Sequence, residues 1–261
     1  MGHRRSLYVE TLIRAEADDL WRLTQEPGLH QRWDLRFTRI EYLPPPDGID
    51  DRQQFRYSVS RLPGLRVAGT GVCAGERVRP DGTRTSVLRF GSGQRLSLIR
   101  SGTGYWRYVP TPAGIRFLTG YDYLPGWGRL GEPADVLFRP VMGWATAWSF
   151  DRLRIWLEDG IPPERSLRLW MLDAGLRTVA VAAAPAVAAA PAVAATLSVG
   201  AALAVAAILA IALVPARPSV PLARRCLRRP PDRLSGTCPA DPPPLAPPLL
   251  TPAAHHLLAQ L

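Results

Sequence analysis

Hydrophobic and polar residues alternate from Ser6 to Ala15, with Leu7, Val9, Thr11 and Ile13 on one face and Tyr8, Glu10, Leu12 and Arg14 on the other. A period of two predicts a strand. From Glu16 the period lengthens: Ala17, Leu20, Trp21 and Thr24 fall at helical spacing, and Asp18 and Asp19 suit the positive end of a helix dipole. Pro27 and Gly28 break this helix, and Leu29 to Trp33 makes a further short one, ending at Trp33-Asp34. Segments 37–43, 53–62, 65–78, 83–90, 96–99, 104–109 and 115–123 then read as strands, punctuated by Pro44 to Gly48, Pro63-Gly64 and the hairpin signal Asp81-Gly82. Phe55, Tyr57 and Val59 share one face. So do Ile115, Phe117, Thr119, Tyr121 and Tyr123, as in an antiparallel sheet with two unlike sides.

After Pro125-Gly126 the repeat approaches 3.6 residues. Leu137, Val141, Trp144, Trp148 and Ile155 mark a long helix over Glu132 to Asp159, stopped by Gly160-Ile161-Pro162-Pro163. Its first half is apolar on most sides and is expected to be wrapped by other elements, while polar residues gather from Asp151 onward. Pro140 should bend it or mark its true start. Residues 161–177 read as a linker or short helix.

The pattern then vanishes. Thr178 to Ala216 holds no charged residue over 39 positions and is bracketed by Arg177 and Arg217. A bilayer core of roughly 30 Å needs about 20 helical residues, so one straight span cannot use them all. Two short passes fit, Thr178 to Ala195 and Leu197 to Val214, with a turn near Thr196; a single pass is the rival reading. Residues 217–261, basic and then Pro-rich, are expected to be a disordered tail.

Charge sharpens this division. The net charge of +10 splits as +6 before the apolar stretch, with 26 Arg against 20 acids, and +4 after it, with six Arg against two acids. Every basic residue is Arg, which GC-rich coding with abundant Ala, Pro and Gly would produce. The six Arg from Arg217 to Arg233 would meet anionic lipid headgroups. Nucleic acid is not an expected partner, because the other arginines are interspersed with acids and no recognition motif is present. Cys73, Cys226 and Cys238 have no framework spacing, which argues for a reducing compartment. No apolar run follows His3-Arg4-Arg5, so no signal peptide is read. With the domain and the Arg cluster both preferring the cytoplasmic side, an even number of crossings is expected, and the soluble domain should face the cytoplasm at the cell membrane.

One strand, two short helices, about six antiparallel strands and a long last helix is the order of an α+β helix-grip fold. The sequence resembles the SRPBCC superfamily, which includes START-like lipid-transfer domains and polyketide cyclase or dehydrase proteins. Val9-Glu10-Thr11-Leu12-Ile13, Ala17-Asp18-Asp19-Leu20-Trp21 and Gln31-Arg32-Trp33-Asp34 carry the likeness, over Ser6 to Asp159. The resemblance implies a curved sheet around the final helix and a cavity for an apolar molecule such as a lipid, isoprenoid or polyketide. No family active site aligns here, and no cofactor or metal is implied.

Candidate cavity residues follow from the faces. Trp33 could line the cavity and Asp34 orient a polar group of the ligand; core packing and capping of local N–H groups are the preferred alternative. Tyr105 and Arg107 share a face, as do Tyr121 and Tyr123, and if both faces are concave they present phenols and a guanidinium able to polarise a carbonyl. Sheet packing competes with that reading. Tyr57, Phe117, Trp144 and Trp148 complete the set, the two tryptophans as a ligand wall or as core. With only His3 and His30 before the apolar stretch, a His-based metal cluster is not available, and His30 is expected near the cavity mouth. The glycine runs at 69–71, 91–93 and 102–104 precede strands, not helices, and so mark bends and not a phosphate loop. Cys226, flanked by arginines, is a possible S-acylation site. Three functions stand open: a membrane-tethered carrier of an apolar molecule, a cyclase- or dehydratase-like enzyme, or a membrane scaffold with a vestigial cavity.

Overall fold

The structure is a computed structural model and describes residues 6–44, 52–62, 65–188, 206, 208 and 214–231. Its elements are β1 (Leu7–Ile13), α1 (Ala17–Gln25), α2 (Pro27–Trp33), β2 (Arg39–Leu43), β3 (Gln54–Leu62), β4 (Leu65–Val78), β5 (Arg84–Gly91), β6 (Ile99–Thr111), β7 (Gly114–Pro125), α3 (Gly131–Asp159) and α4 (Pro163–Ala188). The strands form one antiparallel sheet in the order β1-β7-β6-β5-β4-β3-β2. Consecutive hairpins generate β2 to β7, and β1 joins at the far edge beside β7. The order and the packing of α3 on β1 make this a helix-grip fold.

Register fixes which faces meet. Val9 pairs with Thr119 and Thr11 with Phe117, while Thr119 in turn pairs with Trp106. The residues predicted to share the Leu7–Ile13 and Ile115–Tyr123 faces therefore point together toward the helices. There Val9, Ile13, Leu20, Leu23, Trp33, Trp106, Tyr108, Phe117, Trp148, Phe150 and Leu153 form the main core. Rings interlock at its centre: Phe117 stacks on Phe150 with centroids 4.4 Å apart, and Trp106 meets Phe117 edge-on at 5.3 Å. Truncating such a buried ring costs about 3–5 kcal/mol.

Several expectations are corrected. Segments 96–99 and 104–109 do not form two strands, because Gly102 and Gly104 stay in the ladder, opposite Phe90 and Leu88 on one side and Tyr123 and Tyr121 on the other. Residues 161–177, read as a linker or short helix, begin α4 at Pro163, and the helix continues into the apolar stretch as far as Ala188. Pro140 does not mark the start of α3, which begins at Gly131. The first half of α3 is not wrapped by the described residues: Val136, Leu137 and Val141 are exposed.

Among the described residues no helix is long and apolar enough to cross a membrane. Most of the two predicted passes lies outside the described residues. Residues 217–227, expected to open a disordered tail, instead dock on the domain. The backbone N–H groups of Glu10 and Leu227 each donate to the other's carbonyl at 2.9 Å, on the edge strand β1. Leu222 N–H and Arg225 Nη1 donate to Asp151 Oδ2 of α3 at 2.7 and 2.9 Å, and Arg225 also holds the carbonyls of Arg217, Pro218 and Val220. One buried carboxylate thus fastens this clasp. Cys226 is buried beneath it, its thiol donating to Ala147 O at 3.2 Å and pushed up to about 12 by burial. A thiol so enclosed does not suit S-acylation.

Candidate functional site

The concave face has two unlike parts. Toward β1 and β7 it is covered by α3 and packed solid, whereas over β3, β4 and β5 it retains half-buried Phe55, Val59, Cys73, Leu88 and Phe90. Glycine shapes this second part. Phe55 pairs with Gly71, Tyr57 with Gly69, Phe90 with Gly102 and Tyr121 with Gly104. A methyl group on Gly102 would lie 2.6 Å from the Phe90 ring, and one on Gly69 or Gly71 would also overlap the partner ring. Each ring therefore lies across a neighbouring strand with no side chain beneath it, which gives a broad, curved aromatic floor. Gly69, Gly71 and Gly102 thus make room for rings, while the register shifts of the sheet fall outside the glycine runs, at Val59/Leu62, Cys73/Gly75 and Ile99/Ser101.

At the inner end of this floor stands a charged cluster. Asp34, wholly buried after the last turn of α2, accepts Arg36 Nη2 on Oδ2 at 2.7 Å, and Arg36 Nε and its own backbone N–H on Oδ1 at 3.0 Å. His30 Nε2 is 3.1 Å from Oδ2. Burial alone would raise the Asp34 carboxyl, but the Arg36 guanidinium and His30 outweigh it and hold the group well below the usual carboxylate range. Burial likewise lowers His30, against the pull of Asp34, so the imidazole is neutral at neutral pH. The guanidinium lies 5.5 Å from the ring centroids of both Phe37 and Tyr121. Phe37 in turn meets Tyr57 at 5.6 Å, which links the charge to the aromatic floor. Sequence reasoning misses Arg36, whose only signal is its place two residues after Asp34.

The sequence-derived candidates divide. Tyr57 and Tyr121 line the concave face, and Tyr121 donates to Thr146 Oγ1 of α3 at 2.9 Å, since Thr146 itself donates to Met142 O. Burial pushes the Tyr57 phenol up to about 12 and raises Tyr121 as well. Tyr123 also faces α3 but is used structurally, donating to Asp135, which Arg139 binds from its other oxygen. Trp33 and Phe117 are core; Trp33 Nε1 donates to Leu23 O, and the partly buried His30 stacks on its ring at 4.8 Å. Trp148 is core too, stacked at 6.3 Å on a half-exposed Trp144 that faces away from the sheet. Tyr105 and Arg107 are corrected: neighbours on the strand of the inward Trp106, they lie on the convex face, where Tyr105 packs with Tyr8, Ala74, Val87 and Leu118 and Arg107 lies 4.9 Å from the Tyr105 ring. Strand alternation forbids Tyr105 and Tyr121 from sharing a site, because Tyr105 pairs with Gly120 and Tyr121 with Gly104.

Two depressions are found among the described residues, and neither is the enclosed cavity that the resemblance implies. One, of about 260 Å³, is lined by Arg39, Glu41, Arg56, Tyr57, Ser58 and Arg66; another, of about 370 Å³, lies between Trp144 and the clasp. On the concave face the structure sets half-buried Phe55 and Phe90 beside the buried Tyr57, with the Arg36 guanidinium near Phe37 and Tyr121 at one end. Such an arrangement can hold an apolar body by contact and a polar head by a charge-assisted hydrogen bond.

No protein-family model matches the chain. It is 45% identical over 167 residues to an uncharacterized membrane protein, YndG, of Bacillus subtilis (strain 168), a match covering 63% of this chain and 62% of that protein. The chain thus spans a little under two thirds of the length of this curated relative. Structural neighbours are START-related and cyclase proteins of the helix-grip kind. They include the STAR-related lipid transfer protein of Xanthomonas axonopodis, 17% identical, covering 57% of this chain and 82% of that one with a TM-score of 0.43. The di-domain ARO/CYC StfQ of the steffimycin biosynthetic pathway is 17% identical, covering 60% and 52% with a TM-score of 0.45. Human StAR-related lipid transfer protein 5 is 15% identical, covering 57% and 74% with a TM-score of 0.42. At these values the fold assignment rests on the strand order and the α3 packing themselves.

Proposed function

We propose that this chain is a membrane-tethered module that binds or transfers an apolar small molecule with one polar or anionic group. The observation that carries this reading is the aromatic floor of Phe55, Tyr57 and Phe90 on β3 and β5, half-buried at Phe55 and Phe90 among the described residues and linked through Phe37 to the Arg36–Asp34 pair. A lipid, isoprenoid or polyketide-like body would replace water on the rings, at roughly 25 cal/mol for each Å² of apolar surface covered. Its head would take a remaining N–H of the Arg36 guanidinium. The clasp supports the tether having an even number of crossings. Residues on both sides of the uncharged stretch, Arg152–Trp170 and Leu222–Leu227, pack on the same domain, and an odd number would leave them on opposite sides of the bilayer. The cytoplasmic placement of the domain belongs to the same proposal.

The test is native mass spectrometry of the full chain extracted in mild detergent, beside a Val59→Glu variant that sets a carboxylate on the floor. An apolar molecule retained by the parent chain and lost from the variant is the expected result. A parent chain that carries nothing, after reloading with total membrane lipid, overturns the reading.

A further inference from the structure

The outer side of the first half of α3 is an apolar ridge that nothing in the described residues covers. Val136, Leu137 and Val141 are 71%, 76% and 57% exposed, Trp144 is 37% exposed, and Trp127 and Leu130 in the approach to the helix are 43% and 69% exposed. Positions 137, 141 and 144 fall on one side of a helix. From Pro133 to Phe150 the only charged residues are Asp135 and Arg139, and both turn toward β7, where they engage Tyr123 and Asp122. Exposed Arg129 and Glu132 separate Trp127 and Leu130 from the helical residues. Exposed apolar residues scattered singly need no explanation, but four large ones along one helix mark a contact surface.

Its surroundings name the partner. At the Trp144 end the ridge runs into the depression bordered by Leu222, Ala223 and the exposed Arg224 and Arg228. Both attachments of the uncharged stretch lie beside that end: Trp170 of α4 packs on Trp148, and the clasp packs on Trp144 and Ala147. Tryptophan at both ends, aliphatic residues between them and arginine at the border are the composition of a surface that sits between lipid headgroups and acyl chains.

We propose that this ridge lies in the headgroup–acyl boundary of the membrane, with Trp127 and Trp144 as its anchors and Arg224 and Arg228 against anionic lipid phosphates. The proposal rests on the membrane tether inferred above and adds the orientation: α3 lies along the bilayer surface. The test uses the full chain in vesicles of phosphatidylcholine with and without phosphatidylglycerol, carrying the environment-sensitive dye NBD on Leu137→Cys, on Val141→Cys or, as control, on the exposed Val78→Cys, with Cys73, Cys226 and Cys238 replaced by serine. At 137 and 141 the emission should shift to the blue and be quenched by doxyl groups on lipid chains, more so with phosphatidylglycerol present, while position 78 should answer only to aqueous iodide. Vesicle flotation of the same samples reports the tether separately. If the chain floats with vesicles and 137 behaves as 78 does, the ridge proposal is overturned while the tether stands. Shielding of 137 from iodide without doxyl quenching assigns the ridge to a protein contact and overturns the proposal too. A chain that does not float removes both.

Discussion

The two halves of α3 invert the usual relation between polarity and burial. Residues 145–155 include Ser149, Asp151 and Arg152, all buried, while the apolar first half displays Val136, Leu137 and Val141 to the outside. The difference lies in partners. Ser149 donates to Ala145 O and accepts Leu35 N–H; Asp151 takes Arg154, Arg225 and Leu222 N–H; Arg152 donates to Pro163 O. Polar groups supplied with this many bonds can be buried without loss, and they tie α2, α3, α4 and the clasp together. The apolar half needs only a surface, and the domain supplies one on its inner side alone.

Breaking the buried half should have the largest effect. Asp151→Ala removes the buried carboxylate that Arg154, Arg225 and the Leu222 N–H share, although Arg154 keeps Glu158 and Arg225 keeps three carbonyls, and should cost about 3–5 kcal/mol, seen as a lowered thermal midpoint of the full chain in detergent. It should also make residues 217–227 cleavable by trypsin, and an unchanged midpoint with a protected clasp would contradict the role given to this carboxylate. Leu153→Ala, in the same half but without polar partners, should cost about 2–5 kcal/mol and leave the clasp protected.

Acid should act through the cluster beneath that half. His30 has its pKa lowered from 6.5 in the folded chain, so the unfolded chain binds a proton first and stability falls as pH drops below 6.5. Asp34, depressed from 3.8, contributes stability that is complete above that value and is lost as pH falls further. Urea titrations between pH 7 and 5 should show the first loss in the parent chain and not in His30→Gln; an equal slope in both would remove His30 from the account. The smallest effect belongs to the exposed half. Leu137→Ser should change the stability of the detergent-solubilised chain by no more than about 0.5 kcal/mol. A loss comparable to that of Leu153→Ala would mean that the ridge is covered within the folded chain.

Much of the fold is legible in the sequence because it depends on local periodicity. Alternation in Leu7–Ile13 and Ile115–Tyr123 assigns each residue its face, and Pro-Gly and Asp-Gly punctuation sets the hairpins. The same alternation says which tyrosines share a face within a strand but not which face is concave. Periodicity therefore groups Tyr105 and Arg107 with Tyr121 and Tyr123, and the register puts them on opposite sides. Asp34, Tyr57 and Tyr121 can be picked out as candidates from the sequence, whereas Arg36 cannot, since an arginine two residues beyond an aspartate carries no periodic signal.

By itself the sequence determined the element order, the antiparallel sheet, the long α3 and the uncharged stretch from Thr178 to Ala216, each written in the spacing of neighbouring residues. Tertiary structure alone decided which half of α3 is buried, which tyrosines lie on the concave face, and that residues 217–227 return to β1 and Asp151. Those outcomes depend on partners far along the chain, Leu227 for Glu10 and Arg225 for Asp151, and hydrophobic periodicity reports a residue's face without naming what will cover it.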